Sequence, residues 1–294
     1  MIRTIRTLLS ALLASAATYG ALPCALSEGA GRVADGPHIA VIQPGYPGSP
    51  KDAVSYLARL SKHLVAKTGV AGVSAEYFNL PAEAKKALAR KRPTHGIVSL
   101  GFYLENREAL GLVPLLEVLP ESEYLLLAQD SKGGDFAGKK VVGGPLYEQS
   151  FLAKVAFPKL KEVPAWEAVP TLRISRSLRK LSRGTYEAAV VTSREYRTLE
   201  KLGKLKGLKT VAKSEAFPTA LFVAFDARDR GERAKVAKEG SSLALGKRLA
   251  EGFRGMSQDS EGKKILETLG CEGSRPVRTR WIEELEKRYD AKDR

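Results

Sequence analysis

The sequence predicts an α/β protein of two lobes, each a mainly parallel sheet flanked by helices. Three observations carry this. Short apolar runs alternate with amphipathic segments of helical length, as in βαβ units. A chain of 294 residues has room for two lobes and a substantial core. From Arg230 onward the pattern is helical only, so the tail is expected to pack back on the first lobe and make it discontinuous. The expected divisions are a signal peptide over residues 1–27, lobe one over 37–125 plus 223–294, and lobe two over 126–222.

Arg3 and Arg6 precede an apolar run from Leu8 to Ala17, and Ala25-Leu26-Ser27 supplies small residues for cleavage. That is the layout of a secretory signal peptide. No later stretch reaches the roughly 18 apolar residues of a membrane span. The mature protein is expected to be exported and soluble, periplasmic or secreted, and Pro23 ahead of Cys24 argues against a lipid anchor there.

After a Gly-rich leader (Gly29 to Gly36), His38 to Gln43 reads as a strand buried on both faces. Pro44 to Pro50 is a loop. Lys51 to Lys67 has Val54, Leu57, Leu60, Leu64 and Val65 at helical spacing and stops at Thr68-Gly69. A strand (Val73 to Phe78), a helix (Pro81 to Arg90), a strand (Gly96 to Leu100) and a helix from Gly101 to about Leu110 follow. Leu112 to Leu119 and Tyr124 to Gln129 read as strands. Val141-Val142 then meets Gly143-Gly144-Pro145 and a helical pattern through Tyr147, Phe151, Leu152 and Val155. Strand, Gly-Gly-Pro, helix fits either a helix start whose free N–H groups hold an anion or an ordinary βα turn. Further strands are read at Ala165 to Val169, up to Val191, Lys209 to Ser214 and Thr219 to Phe225. Helices are read at Ser175 to Ser182, Arg194 to Lys201 (capped by Thr192-Ser193), Arg233 to Phe253, Ser260 to Leu269 and Arg280 to Tyr289.

Composition excludes several classes. With 44% hydrophobic and 28% charged residues the chain is globular. The net charge is +15, but the cations are spread over nearly every helix. The densest run, Arg173 to Arg183, has no interleaved aromatics, so a solvated helix face is favoured over nucleic-acid binding. With the signal removed only Cys271 remains, read as a buried inert thiol, and His38, His63 and His95 have no close spacing. No metal and no cofactor are expected. Glu121 and Glu123 read as solvated loop charges, and no catalytic set is evident, so the chain is read as a binding protein and not an enzyme, with an enzyme on the same fold using Cys271 as the less favoured alternative.

Ligands on such sheets sit at the C-terminal ends of strands. That rule brings three loops to one mouth: Gln43 to Pro50, Ser99 to Tyr103 and Gly143 to Tyr147. Candidate ligand-binding residues are Tyr46, Ser99, Gly101, Tyr103, Gly144, Leu146, Tyr147, Thr192 and Ser193. Tyrosines offer apolar area with a polar tip, suited to a small solute. A packing or capping role is the alternative for each.

The order of four passages resembles the periplasmic solute-binding proteins of ABC importers, in particular the phosphate/phosphite/phosphonate-binding group with the type 2 two-lobed fold. These are His38 to Leu64, Phe136 to Gly143 (FAGKKVVG), Leu178 to Tyr196 (LRKLSRGTYEAAVVTSREY) and Asp259 to Gly270. The resemblance implies an interlobe cleft, a small oxyanion-bearing ligand, the membrane subunits of an ABC importer as partners, and a monomer. Two positions depart from the family. Gly144-Pro145-Leu146-Tyr147 stands where the family places hydroxyls for phosphonate oxygens, and Thr192 stands where many members have an acid. These leave open a second reading, a degenerate binding-protein body serving as receptor or scaffold for a sensor or membrane complex.

Overall fold

A computed structural model of the protein describes residues 36–130, 135–160, 163–225 and 242–291. The expected signal peptide with Cys24, the leader up to residue 35 and the start of the helix read from Arg233 lie outside the described residues.

The apolar run His38–Ile42 (β1) pairs in parallel with Ser74–Phe78 (β2) and with His95–Val98 (β3). Between them lie the helices Pro50–Thr68 (α1) and Pro81–Arg90 (α2), and after β3 comes Leu100–Asn106 (α3). α1 starts where Ser49 accepts a hydrogen bond from the Asp52 N–H while the Asp52 carboxylate accepts one from the Ser49 N–H. It ends at Gly69, which is left-handed (φ 67°). Ser49→Ala is expected to cost about 1 kcal/mol in chemical denaturation. α1 buries Leu57, Leu60 and Leu64 as its spacing predicts, whereas Val54 on the same pattern is 64% exposed.

The chain leaves this sheet along Val113–Ser122 (β4) and, after Glu123 alone, enters a second sheet as Tyr124–Gln129 (β5). Lys140–Gly143 (β6), Glu167–Pro170 (β7), Ala188–Thr192 (β8) and Leu208–Lys213 (β9) complete that sheet, in the order β7-β6-β8-β5-β9. The chain returns to the first sheet as Phe217–Ala224 (β10). Sheet membership therefore changes at Glu123 and between Lys213 and Phe217, whereas the sequence reading set the changeovers inside the apolar runs of β5 and β10, where no turn signal exists.

Both sheets are mixed, which corrects the expectation of mainly parallel ones. Parallel pairing is confined to β2-β1-β3 and β7-β6-β8. The pairs β10-β3, β10-β4, β5-β8 and β5-β9 are antiparallel. The cause is the double crossing: a chain that leaves through β4 and β5 and returns through β9 and β10 lays its return strands against its outgoing ones. A buried strand reads as a continuous apolar run in either direction, so the sequence pattern cannot tell them apart.

The tail holds a further correction. Gly273–Pro276 (β11) pairs antiparallel with β4 and gives the first sheet the order β11-β4-β10-β3-β1-β2. With four residues and a polar pair, Ser274-Arg275, it carries no strand signature. The helices are Gln149–Phe151 (α4, one turn), Ile174–Leu181 (α5), Ser193–Lys201 (α6), Ser242–Gly255 (α7), Ser260–Thr268 (α8) and Thr279–Asp290 (α9). α7 and α8 pack on α1, as expected of the tail. α9 instead lies against α3 and the turn Leu152–Ala156 of the second-sheet side. Arg107, just past α3, ties it there by donating to the Leu104 carbonyl and the Asp290 carboxylate.

One apolar cluster joins the first sheet to α1, α7 and α8 through Ile39, Val41, Leu60, Leu64 and Phe253. A second joins the other sheet to α5 and α6 through Leu125, Val142, Leu178 and Leu199. A third spans both sheets: Ile42 and Val98 from one side and Leu126, Val141 and Val190 from the other belong to a single cluster with Phe151 and Phe217. Where β11 meets β4, the fully buried carboxylate of Glu117 accepts hydrogen bonds from Arg275 and from the Arg278 side chain and N–H, while Glu121 accepts from both arginines. Glu121 is thus a strand residue in an ion-pair cluster and not the solvated loop charge the sequence suggests. Glu123 likewise pairs with Lys213 at 2.7 Å. Among the described residues no helix is long and apolar enough to cross a membrane.

Candidate functional site

A cleft of about 510 Å³ lies where the two sheets face each other. The loop after β1 (Gln43 to Pro47) and Ser99 at the start of α3 form one wall. Gly144, Pro145 and Glu148 after β6, Leu172 and Ile174 before and in α5, and the first turns of α6 form the other. The crossing strands supply the back through Glu121, Tyr124, Phe217 and Thr219. Strand ends fix these positions, as the carboxyl-end rule for α/β sheets requires.

Three polar arrangements define the cleft. The first is Glu148. Its carboxylate is buried and accepts a hydrogen bond from the Ser99 hydroxyl on the opposite wall, with the Phe102 N–H close by. Burial pushes the carboxyl up to about 7, against the opposing pull of those two donors. Gly101 leaves room for it: a methyl group there would sit 2.7 Å from the carboxyl carbon.

The second is α6. Thr192 and Glu195 form a reciprocal cap: the Thr192 hydroxyl accepts from the Glu195 N–H, and Glu195 accepts from the Thr192 N–H at 2.9 Å. Burial raises the Glu195 carboxyl, and the Thr192 donors partly offset that. Arg194 reaches across the cleft to donate to the Tyr46 hydroxyl and, at 2.7 Å, to the Gly270 carbonyl. Its guanidinium lies 5.9 Å from the centre of the Tyr46 ring. The third is Arg197, one helical turn on. It lines the cleft, is exposed, and makes no hydrogen bond or ion pair among the described residues.

Of the residues singled out from sequence, Tyr46, Ser99, Gly144 and Thr192 line the cleft. Gly101 lies just behind, under the Glu148 carboxylate. Four are elsewhere. Tyr103 is fully buried in the shared core and donates to Glu286 of α9, because α3 turns its side chain away from the cleft. Leu146 is buried in the same core. Tyr147 is half-buried outside the cleft lining, and its N–H donates to the Gly144 carbonyl at 3.2 Å, so it is not free for an anion. The segment after Gly144 is a 3₁₀ turn, one α turn and a π turn, not a regular helix. Ser193 sits at the strand crossing, where it meets Ser122 and accepts from the Glu123 N–H.

Sequence reasoning missed Glu148, Arg194, Glu195 and Arg197. Two signals were available. Glu148 shares the helical face of Phe151, Leu152 and Val155, an acid on an apolar stripe. Thr192 and Glu195 have the spacing of a capping box, which fixes the helix start at the strand end and turns its first residues to the cleft. Cys271 is buried, and burial pushes its thiol up to about 12, which leaves little thiolate.

The family described as the periplasmic substrate-binding protein of ABC phosphonate transporters matches residues 48–282. No curated protein sequence matches the chain. Among solved structures, a Xanthomonas citri protein bound to ATP is 12% identical with a TM-score of 0.62, covering 86% of this chain and 96% of that one. A Prochlorococcus marinus protein in complex with methylphosphonate is 11% identical with a TM-score of 0.59, covering 85% and 96%. The binding protein component of an ABC phosphonate transporter from Pseudomonas aeruginosa is 15% identical with a TM-score of 0.57, covering 87% and 88%. At these identities the structures speak for the fold, the two-sheet architecture of type 2 periplasmic binding proteins. Together with a family match over most of its length, this places the chain in the family of periplasmic substrate-binding proteins of ABC phosphonate transporters.

Proposed function

We propose that the protein captures a small anionic solute, of the phosphonate or phosphite kind, in the cleft between the sheets and delivers it to the membrane subunits of an ABC importer. In this reading residues 1–27 direct export and the mature chain works as a monomer. Arg197 is the observation that carries it: an exposed guanidinium in a cleft of about 510 Å³ with Arg194 on the same helix and the aromatic rings of Tyr46, Tyr124 and Phe217 alongside. Guanidinium groups grip planar or tetrahedral oxyanions through charge-assisted hydrogen bonds, and the rings accept an apolar substituent. The methylphosphonate held by the Prochlorococcus marinus neighbour supports the same class. Thermal denaturation with phosphate, phosphite and alkylphosphonates tests it. The expected result is a rise in Tm with one of them, and a loss of affinity on the order of tenfold in Arg197→Ala, the worth of one hydrogen bond to a charged group. No response to any of these anions would sink the reading.

A second reading has its own observation. Glu148 fills the floor of the cleft with the chain's own carboxylate. A body with a plugged floor suits a receptor or scaffold that presents itself to a membrane complex, and recovery of such a complex with no anion response would favour it.

A further inference from the structure

We propose that Glu148 is a proton-controlled clasp between the two sides of the cleft: neutral, it holds the floor shut, and ionised, it lets the sides part. The proposal concerns the solute-free chain and does not depend on which solute binds.

The geometry comes first. Glu148 follows β6 of the second sheet, while its partners Ser99 and Phe102 follow β3 of the first. The side chain is 8% exposed and the contact closes the floor of the cleft. Gly101 leaves the space the carboxyl needs, and Ser99 caps α3 with the same oxygen that donates to Glu148. Parting the walls returns the carboxyl to water, so closing and desolvation are one event.

The surrounding charges set the direction. From α3, Glu105 bears a like charge on Glu148, itself partly neutralised by Lys85 at 3.8 Å. From β5, Tyr124 has its phenol raised by burial and by Glu148, so it stays neutral. From α9, Tyr289 lies near; Arg107 and Lys154 hold over its ring at 6.0 and 5.4 Å and form no ion pair with Glu148. An ionised Glu148 would therefore be buried with one direct hydrogen bond, the Phe102 N–H close by, no paired cation and a like charge nearby. Closed, the carboxyl titrates at about 7. Open to water, it returns to the ordinary carboxylate range. The closed form takes up the proton more tightly, so its advantage is full below the ordinary carboxylate pKa and is lost as pH rises through about 7.

The test is small-angle scattering of the solute-free full chain from well below to well above pH 7. The expected result is a radius of gyration that rises along a one-proton curve between the ordinary carboxylate range and about pH 7, and a Glu148→Gln variant, neutral at every pH, that stays compact throughout. Ser99→Ala removes the donor that ties the neutral carboxyl across the cleft and is expected to move the midpoint downward. A wild-type radius that does not change with pH overturns the proposal. So does a Glu148→Gln variant that follows the wild-type curve or, should that variant not fold, a Ser99→Ala midpoint that does not move.

Discussion

Glu117→Ala is expected to destabilise the protein by about 3 kcal/mol, seen as a lower urea midpoint with an unchanged slope. The carboxylate has no exposed surface, and its removal leaves Arg275 and Arg278 facing each other with only Glu121 between them. Both arginines are partly exposed, 33% and 41%, so water screens them and the effect falls at the low end for a broken buried pair. The same cluster gives a pH dependence opposite to that of Glu148. Burial would raise the Glu117 carboxyl, but hydrogen bonds from Arg278 and Arg275 outweigh it and hold it below the usual range. Its contribution is therefore present above the ordinary carboxylate pKa and is lost as pH falls through the depressed value. Glu117→Gln should flatten the acid limb of the stability curve. An acid limb identical to wild type would show that the arginines do not stabilise the charge.

Gly143→Ala is the second large effect, expected to cost about 3 kcal/mol by the same measurement. A methyl group there would overlap the carbonyl oxygen of Val190 in β8, and its nearest neighbours are all backbone, held by the sheet. Nothing flexible can yield. Gly138 makes the contrast: its φ is 65°, but an added methyl would meet only open space, so Gly138→Ala should cost about 1 kcal/mol from backbone strain alone. Equal losses at the two positions would mean that β8 can shift, and the floor of the cleft with it.

Gly143 and Gly144 show what the sequence could and could not reveal. Their position after Val141-Val142 marks a site where a chain passes close to something, and it does. What passes close is backbone, Val190 on one side and Gly45 on the other. Elements with strong local signals were legible nearly to the residue: α1 between Ser49 and Gly69, α2 behind Pro81, and β5. Strand direction was not, because buried strands of either sense have the same apolar pattern. β11 was not, because its place comes from Arg275 reaching Glu117 across 158 positions of sequence. The same limit applies to the cleft. Tyr46 and Thr192 sit on loop and cap positions that strand ends bring to the mouth. The partner of Ser99 is an acid 49 positions away, and only the close approach of the two sheets makes it one.

The contact between Gly45 and Gly144 has a mechanical meaning. Here the walls meet main chain to main chain; a β-carbon on Gly144 would lie 2.6 Å from the Gly45 oxygen, and neither residue has a side chain to swing aside. Such a contact is a dead stop. Pressing the walls closer would drive one backbone into the other. The pair of glycines, both lining the cleft, is therefore expected to limit how far its walls close.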